Sequence, residues 1–238
     1  MTKKILITND DGLEADGIIR LAEVAKEFGE VWVVAPDSQR SAMSHSITLR
    51  HKIKMWEVDF PVEGVHAYAS DGTPADCVRV GVLNIVPGKP DYVFSGINNG
   101  YNVASDIQYS ATAGAAFEAS FQKIHSIAFS EDITGNNEVT GKYIREVIEK
   151  LINLPLNDNE IFNVNFPGCS LDECKGIIYN RTVSRKLVYE DHYDEEDLGN
   201  GEKLFQVVGE LRSDAEEGTD LEAVNNHYVS VGIATNIH

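Results

Sequence analysis

The chain has 238 residues and a formal net charge of −18, from 20 Lys and Arg against 38 Asp and Glu. That balance excludes duplex nucleic acid and anionic membrane as main partners, because both need clustered positive charge, but not a small anion held by a metal or by backbone N–H groups. No apolar stretch approaches the roughly 20 residues of a membrane span, and nothing in the first residues resembles a signal peptide. Cys77, Cys169 and Cys174 are odd in number and carry no metal-site spacing, so a cytoplasmic protein with reduced thiols is expected.

The first apolar run, Ile5-Leu6-Ile7, reads as a buried strand that breaks at Gly12. Ile18, Leu21, Ala22, Ala25 and Phe28 recur at helical spacing, which predicts an amphipathic helix over 17–28 stopped by Gly29. Val31 to Ala35 is a second strand, continuous rather than alternating, as in a parallel sheet buried on both faces. These three elements form a right-handed βαβ crossover.

Two short strands are expected at 53–58 and 65–69. Thr73-Pro74 caps a helix running to about Leu83. A strand at 92–95, a small-residue helix at 112–121, a strand at 126–130, a helix through 139–151 and a strand at 161–166 follow. Beyond Lys175 the helices stop. Strand-like pieces at 177–179, 186–189 and 204–208 flank an acidic segment, Glu190 to Asp197, which reads as a solvated loop in an extended hairpin arm. Thr219-Asp220 caps a short helix to about Val224, before a last strand at 228–233.

The expectation is one α/β domain over 1–238. A Rossmann-like three-layer core on a mostly parallel sheet occupies about 1–174, and a β-rich C-terminal hairpin arm with a closing segment occupies 175–238.

Three polar segments each follow a buried strand: Asn9-Asp10-Asp11-Gly12, Ser38 to Ser46, and Ser95-Gly96-Ile97-Asn98-Asn99-Gly100-Tyr101-Asn102. In an open parallel sheet such loops emerge on one edge and can converge. Asn-Asp-Asp-Gly alone fits a simple turn. It equally fits a cation site, because adjacent carboxylates repel unless a divalent ion binds their oxygens. With hydroxyl and amide oxygens from the other loops, the ligand set is all oxygen and suits Mg²⁺, Mn²⁺ or Ca²⁺. Gly96 and Gly100 permit tight turns whose N–H groups face an anion. Ser110 and Thr112 open a helix whose N-terminus suits phosphate. His45 is either an acid/base contact or a polar surface residue.

The segments Ile-Leu-Ile-Thr-Asn-Asp-Asp-Gly, Val-Ala-Pro-Asp-Ser-Gln-Arg-Ser, Ser-Gly-Ile-Asn-Asn-Gly-Tyr-Asn, Glu217-Gly218-Thr219-Asp220 and Tyr228-Val229-Ser230-Val231 together resemble the survival protein SurE family. The resemblance implies a metal-dependent phosphatase for nucleoside 5'- and 3'-monophosphates, with polyphosphate as a side substrate. It also implies a homodimer or homotetramer built through an exchanged arm. Asp10, Asp11, Ser41 and Asn98 match the family's metal ligands, for one Mg²⁺ or Mn²⁺ per subunit. Asp10 and Asp11 are the expected catalytic pair. Asn9, Ser44, Gly96, Asn98, Gly100, Asn102, Ser110 and Thr112 are expected to bind substrate. An exopolyphosphatase, or a nucleotide-binding protein with weakened turnover, is the alternative. Ala42, Ala104 and Ala111 stand where the family usually has glycine, and Asp197-Leu198-Gly199-Asn200-Gly201 replaces a usual Asp-Pro-Arg-Gly turn.

Overall fold

Strand β1 (Lys4–Thr8) lies at the centre of the sheet, parallel to β2 (Glu30–Pro36) on one side and β5 (Tyr92–Asn99) on the other. Their side chains alternate across the pleat, so each strand feeds two cores. Ile5, Ile7, Val31, Val33 and Phe94 enter one core, while Leu6, Trp32, Val34 and Val93 enter the other. Ile5, Leu6 and Ile7 are fully buried, each stabilising the fold by roughly 2–3 kcal/mol. The computed structural model describes residues 2–212 and 214–236.

Helices cover both faces. Ile18, Leu21, Ala22 and Ala25 of α1 (Asp16–Ala25) pack on the first, joined by Val139, Ile144, Val147, Ile148 and Leu151 of α4 (Glu138–Leu151). The second face carries Cys77 and Val78 of α2 (Pro74–Val80) and Ala115 and Ala119 of α3 (Ala111–Phe121). The Thr73 hydroxyl and the Asp76 carboxylate form a capping box at the start of α2, as the Thr-Pro signal predicts. That helix ends at Val80, and a wide π-type turn over Gly81–Ile85 continues it.

The large sheet has nine strands in the order β3 (Met55–Val58), β4 (His66–Ser70), β2, β1, β5, β6 (His125–Glu131), β7 (Glu160–Phe166), β11 (Val229–Thr235), β8 (Ile177–Arg181). Only the β3–β4 and β7–β11 pairs are antiparallel. Strand order reverses around β1, the place where an open α/β sheet forms its crevice. Among the described residues no helix is long and apolar enough to cross a membrane.

The C-terminal region departs from its expected form in two ways. Strand β8 joins the large sheet beside β11, and α5 (Asp220–Asn225) packs Leu221 and Val224 against Val103 and Val188. Only the hairpin β9 (Tyr189–Gly199) and β10 (Glu202–Leu211) stands apart, as a separate two-stranded sheet. The acidic run 190–197, expected as a loop, is therefore strand β9. Every residue of β9 is exposed, so its carboxylates stay hydrated while the backbone pairs with β10.

Candidate active site

The three polar loops meet at the carboxyl edge of β1, β2 and β5. In the first, Asn9 is fully buried, and its Nδ2 donates to the Gly12 carbonyl at 2.8 Å, closing the turn that presents Asp10 and Asp11. Asp10 is buried. Its Oδ1 accepts from the Thr112 hydroxyl at 2.5 Å, and its main-chain carbonyl accepts from the Arg40 N–H at 2.7 Å. Asp11 Oδ2 accepts from the Asn99 N–H at 3.0 Å. The pair is thus tied to the second loop, to the end of β5 and to the first turn of α3.

Asn98 commits its Nδ2 to the Gly100 carbonyl at 2.7 Å, which leaves its oxygen as the free end of the side chain. The Ser41 hydroxyl is exposed beside Arg40 and accepts from Gln39 Nε2 at 3.0 Å. The Ser44 N–H donates to the Tyr109 carbonyl at 2.9 Å, laying the second loop across α3. There Gly114 is required, since a Cβ would stand 2.6 Å from the Ser44 carbonyl oxygen. Gly96 has φ +137°, and a Cβ on it would collide with the Phe129 carbonyl. The Gly100 N–H donates to the Glu131 carbonyl at 2.9 Å. Ser110 caps α3 by accepting from the Ala113 N–H at 2.9 Å.

Asn102 faces a different neighbourhood. It is buried, its N–H donates to Asn165 Oδ1 at 2.8 Å, and its Nδ2 donates to Ser130 Oγ at 2.7 Å. Its carbonyl accepts from Asn163 Nδ2 at 2.8 Å. These bonds lock the chain leaving β5 onto β6 and β7, so Asn102 braces the loop from below.

Burial dominates the electrostatics. It pushes the Asp10 carboxyl up to about 6, with the Thr112 bond opposing and the Asp11 charge adding to the rise. Asp11 is raised too, by burial first, against the bonds from Asn99 and Gln39. Among the described residues neither carboxylate forms an ion pair with a lysine or arginine; Arg20, across the cleft from Asp11, is committed to Glu131 and Asp16. Among the described residues no group of three or more His, Cys, Asp and Glu is placed to hold a metal ion. A cation at this edge therefore draws on two carboxylates and neutral oxygens, and the Ser41 hydroxyl and Asn98 carboxamide are of that kind. Hard divalent ions accept such a set.

Several residues at the site carry no sequence signal. Asn99 enters because its backbone, not its side chain, holds Asp11. Glu118 is buried in the small-residue helix α3, where it accepts from Arg79 Nη1 at 3.0 Å and Gln122 Nε2 at 3.0 Å. The third partner of Glu118 is His45 Nε2, at 2.9 Å. His45 is thereby a strut between the second loop and α3. A glutamate within Ala-Thr-Ala-Gly-Ala-Ala-Phe-Glu-Ala-Ser was the only hint of this arrangement. Arg20 and Glu131, 111 positions apart, form a bidentate ion pair. They line a cleft of about 350 Å³ that opens beside Asp11.

The family model for survival protein SurE matches residues 5–188. The chain belongs to the SurE family. Among its relatives, 5'-nucleotidase SurE of Clostridium botulinum strain 657 is 39% identical over 231 residues, covering 95% of this chain and 90% of that protein. The 5'-nucleotidase SurE of Mesorhizobium japonicum is 38% identical over 237 residues, covering 96% and 91%. The crystal structure of the SurE protein from Aquifex aeolicus superposes with a TM-score of 0.83 at 37% identity, over 98% of this chain and 93% of that one. The SurE fold is thus shared over nearly the whole chain.

The three alanines that stand where the resemblance implies glycine differ in backbone. Ala42 and Ala104 adopt φ of 57° and 52°, the left-handed region that glycine occupies without strain. Ala111 is the first residue of α3, buried and with ordinary helical backbone, so its methyl group brings no left-handed strain.

Proposed function

We propose that this chain is a divalent-metal-dependent phosphatase that hydrolyses nucleoside 5'-monophosphates, and 3'-monophosphates, to nucleoside and phosphate. The observation that carries the reading is the pair of buried Asp10 and half-buried Asp11, with no ion-pair partner among the described residues, set against the N-terminus of an 11-residue helix. Membership in a family whose relatives are named 5'-nucleotidases supports the substrate class.

Asp10, Asp11, Ser41 and Asn98 would hold Mg²⁺ or Mn²⁺, which would supply positive charge to the phosphate and lower the pKa of a water. Asp10 accepts the proton of the attacking water. The Thr112 hydroxyl holds that carboxylate in one orientation. The positive end of α3, capped by Ser110, favours the charge on the phosphoryl oxygens. Asn9 and Ser44 shape the turns around the phosphate, and Gly96 and Gly100 keep the third loop close.

The test is phosphate release from a panel of nucleoside monophosphates and polyphosphate, with EDTA and with added Mg²⁺ or Mn²⁺. Metal-dependent release from nucleotides is the expected result, and no release under any metal would refute it. Preferential release from polyphosphate would instead favour an exopolyphosphatase. A second reading, nucleotide binding with weakened turnover, draws on the left-handed Ala42 directly after Ser41. Tight nucleotide binding without release would establish it.

We also propose that a second copy of this chain covers the hairpin. Tyr193, Leu204, Phe205 and Val207 expose more than half of their surface there, and apolar side chains on a free two-stranded ribbon call for a partner.

A further inference from the structure

Beside Asp11 the cleft of about 350 Å³ is lined by Asp16, Arg20, Gln39, Ile97, Asn99, Glu131 and Asn137 among others. Its volume suits a nucleoside-sized ligand, at the lower end of the range for small-molecule sites. Three carboxylates, from Asp11, Asp16 and Glu131, face one guanidinium, that of Arg20. A chain of phosphates would be repelled there, whereas hydroxyl groups would find acceptors. No aromatic ring lines the cleft, so the sugar and not the base is the part such walls can hold.

The walls divide into a brace and a free edge. Arg20 spans the cleft, with Nη1 3.2 Å from Glu131 Oε2, Nη2 on Glu131 Oε1, and Nε 2.5 Å from Asp16 Oδ2. Glu131 is nearly buried and sits in register with Asn99, whose N–H holds Asp11. The brace therefore fixes the cleft relative to the catalytic pair. Asp16 is exposed and keeps one carboxylate oxygen outside the brace. Asn137 stands at the N-terminus of α4, yet its side chain makes no capping bond. An asparagine at that position ordinarily caps its helix, and this one leaves its amide free at the cleft.

We propose that this cleft is the ribose subsite. Asp16 and Asn137 receive the sugar hydroxyls, and the Arg20–Glu131 pair holds the wall they stand on. The inference rests on the phosphatase reading for the position of the phosphate at Asp10 and Asp11.

The experiment compares AMP with 2',3'-dideoxy-AMP in the wild type, Asp16→Ala and Asn137→Ala, by kcat/KM for phosphate release. In the wild type, loss of both hydroxyls lowers kcat/KM about tenfold, the worth of one or two neutral hydrogen bonds. In either variant that penalty falls below threefold. An unchanged penalty in both variants, or no discrimination by the wild type, overturns the proposal. Calorimetric titration with adenosine and 2',3'-dideoxyadenosine asks the same question without catalysis. Preferential adenosine binding that Asn137→Ala abolishes, in a protein that releases no phosphate, would uphold the subsite while refuting the phosphatase. Turnover with equal binding of both nucleosides in every variant would do the reverse.

Discussion

Truncating Glu118 to alanine removes a carboxylate that fastens the second loop to α3. Three donors converge on it, from His45 at 2.9 Å, Arg79 at 3.0 Å and Gln122 at 3.0 Å. Bonds to a charged group contribute about 1.5–3 kcal/mol each when their partners are left stranded. Here the Arg79 side chain is 46% exposed and regains water on release, whereas that of His45 is 19% exposed. Glu118→Ala is therefore expected to cost about 2–3 kcal/mol, a fall in Tm of about 4–12 °C for a chain of this size. Hydrogen bonding by His45 and Gln122 outweighs burial and holds the Glu118 carboxyl below its ordinary 4.5. A depressed carboxyl contributes stability that is complete above the unfolded value and is lost as pH falls through the folded one. The part of the gap that comes from the Glu118 charge is thus complete above pH 4.5 and is lost as pH falls below it. Urea unfolding on both sides of that pH measures it. Because the loop carries Ser41 and Ser44, phosphate release should slow as well, with a smaller loss in Glu118→Gln. A gap under 0.5 kcal/mol at pH 7, or one that widens on acidification, would refute this account.

Asp10→Asn should abolish phosphate release yet raise the stability of the EDTA-treated protein at pH 7 by about 1–3 kcal/mol, since it removes a buried charge while keeping an acceptor for Thr112; chemical denaturation with and without Mn²⁺ checks both parts. Ala104→Gly should stabilise by up to about 1 kcal/mol by relieving a left-handed alanine, whereas Ala111→Gly should destabilise by a similar amount, because it puts glycine in ordinary helix. Thermal melts of the two variants must move in opposite directions. Replacing the hairpin 189–211 by a short Gly-Ser turn should leave the nine-stranded sheet folded and yield a monomer by light scattering; an unchanged mass would show that the copies meet elsewhere.

The elements that could be read in the chain are those whose signal is local. Ile5-Leu6-Ile7 and Val31 to Ala35 are unbroken apolar runs, and Thr73-Pro74 and Thr219-Asp220 carry their own caps. Asp10 and Asp11 were legible for the same reason, as two charges at the exit of a buried strand. The acidic run 190–197 was misread because charge density argues for solvation, and a two-stranded ribbon with both faces wet satisfies that demand as well as a loop does. Strand β8 was assigned to the arm because its partner, β11, lies some fifty residues downstream, and only that pairing places it in the core sheet.

The sequence by itself determined the alternation of strands and helices, the three polar loops and the SurE family, because periodicity, caps and motifs are written over short spans. Tertiary structure alone decided which of the polar residues meet. Asn102 and Asn99 stand three positions apart, yet one is locked to Asn165 and Ser130 while the other holds Asp11 through its N–H. Arg20 and Glu131 are neighbours only because α1 packs over β5 and β6, and His45 and Glu118 only because the second loop crosses α3. Such contacts depend on how the layers pack, and no local pattern encodes them.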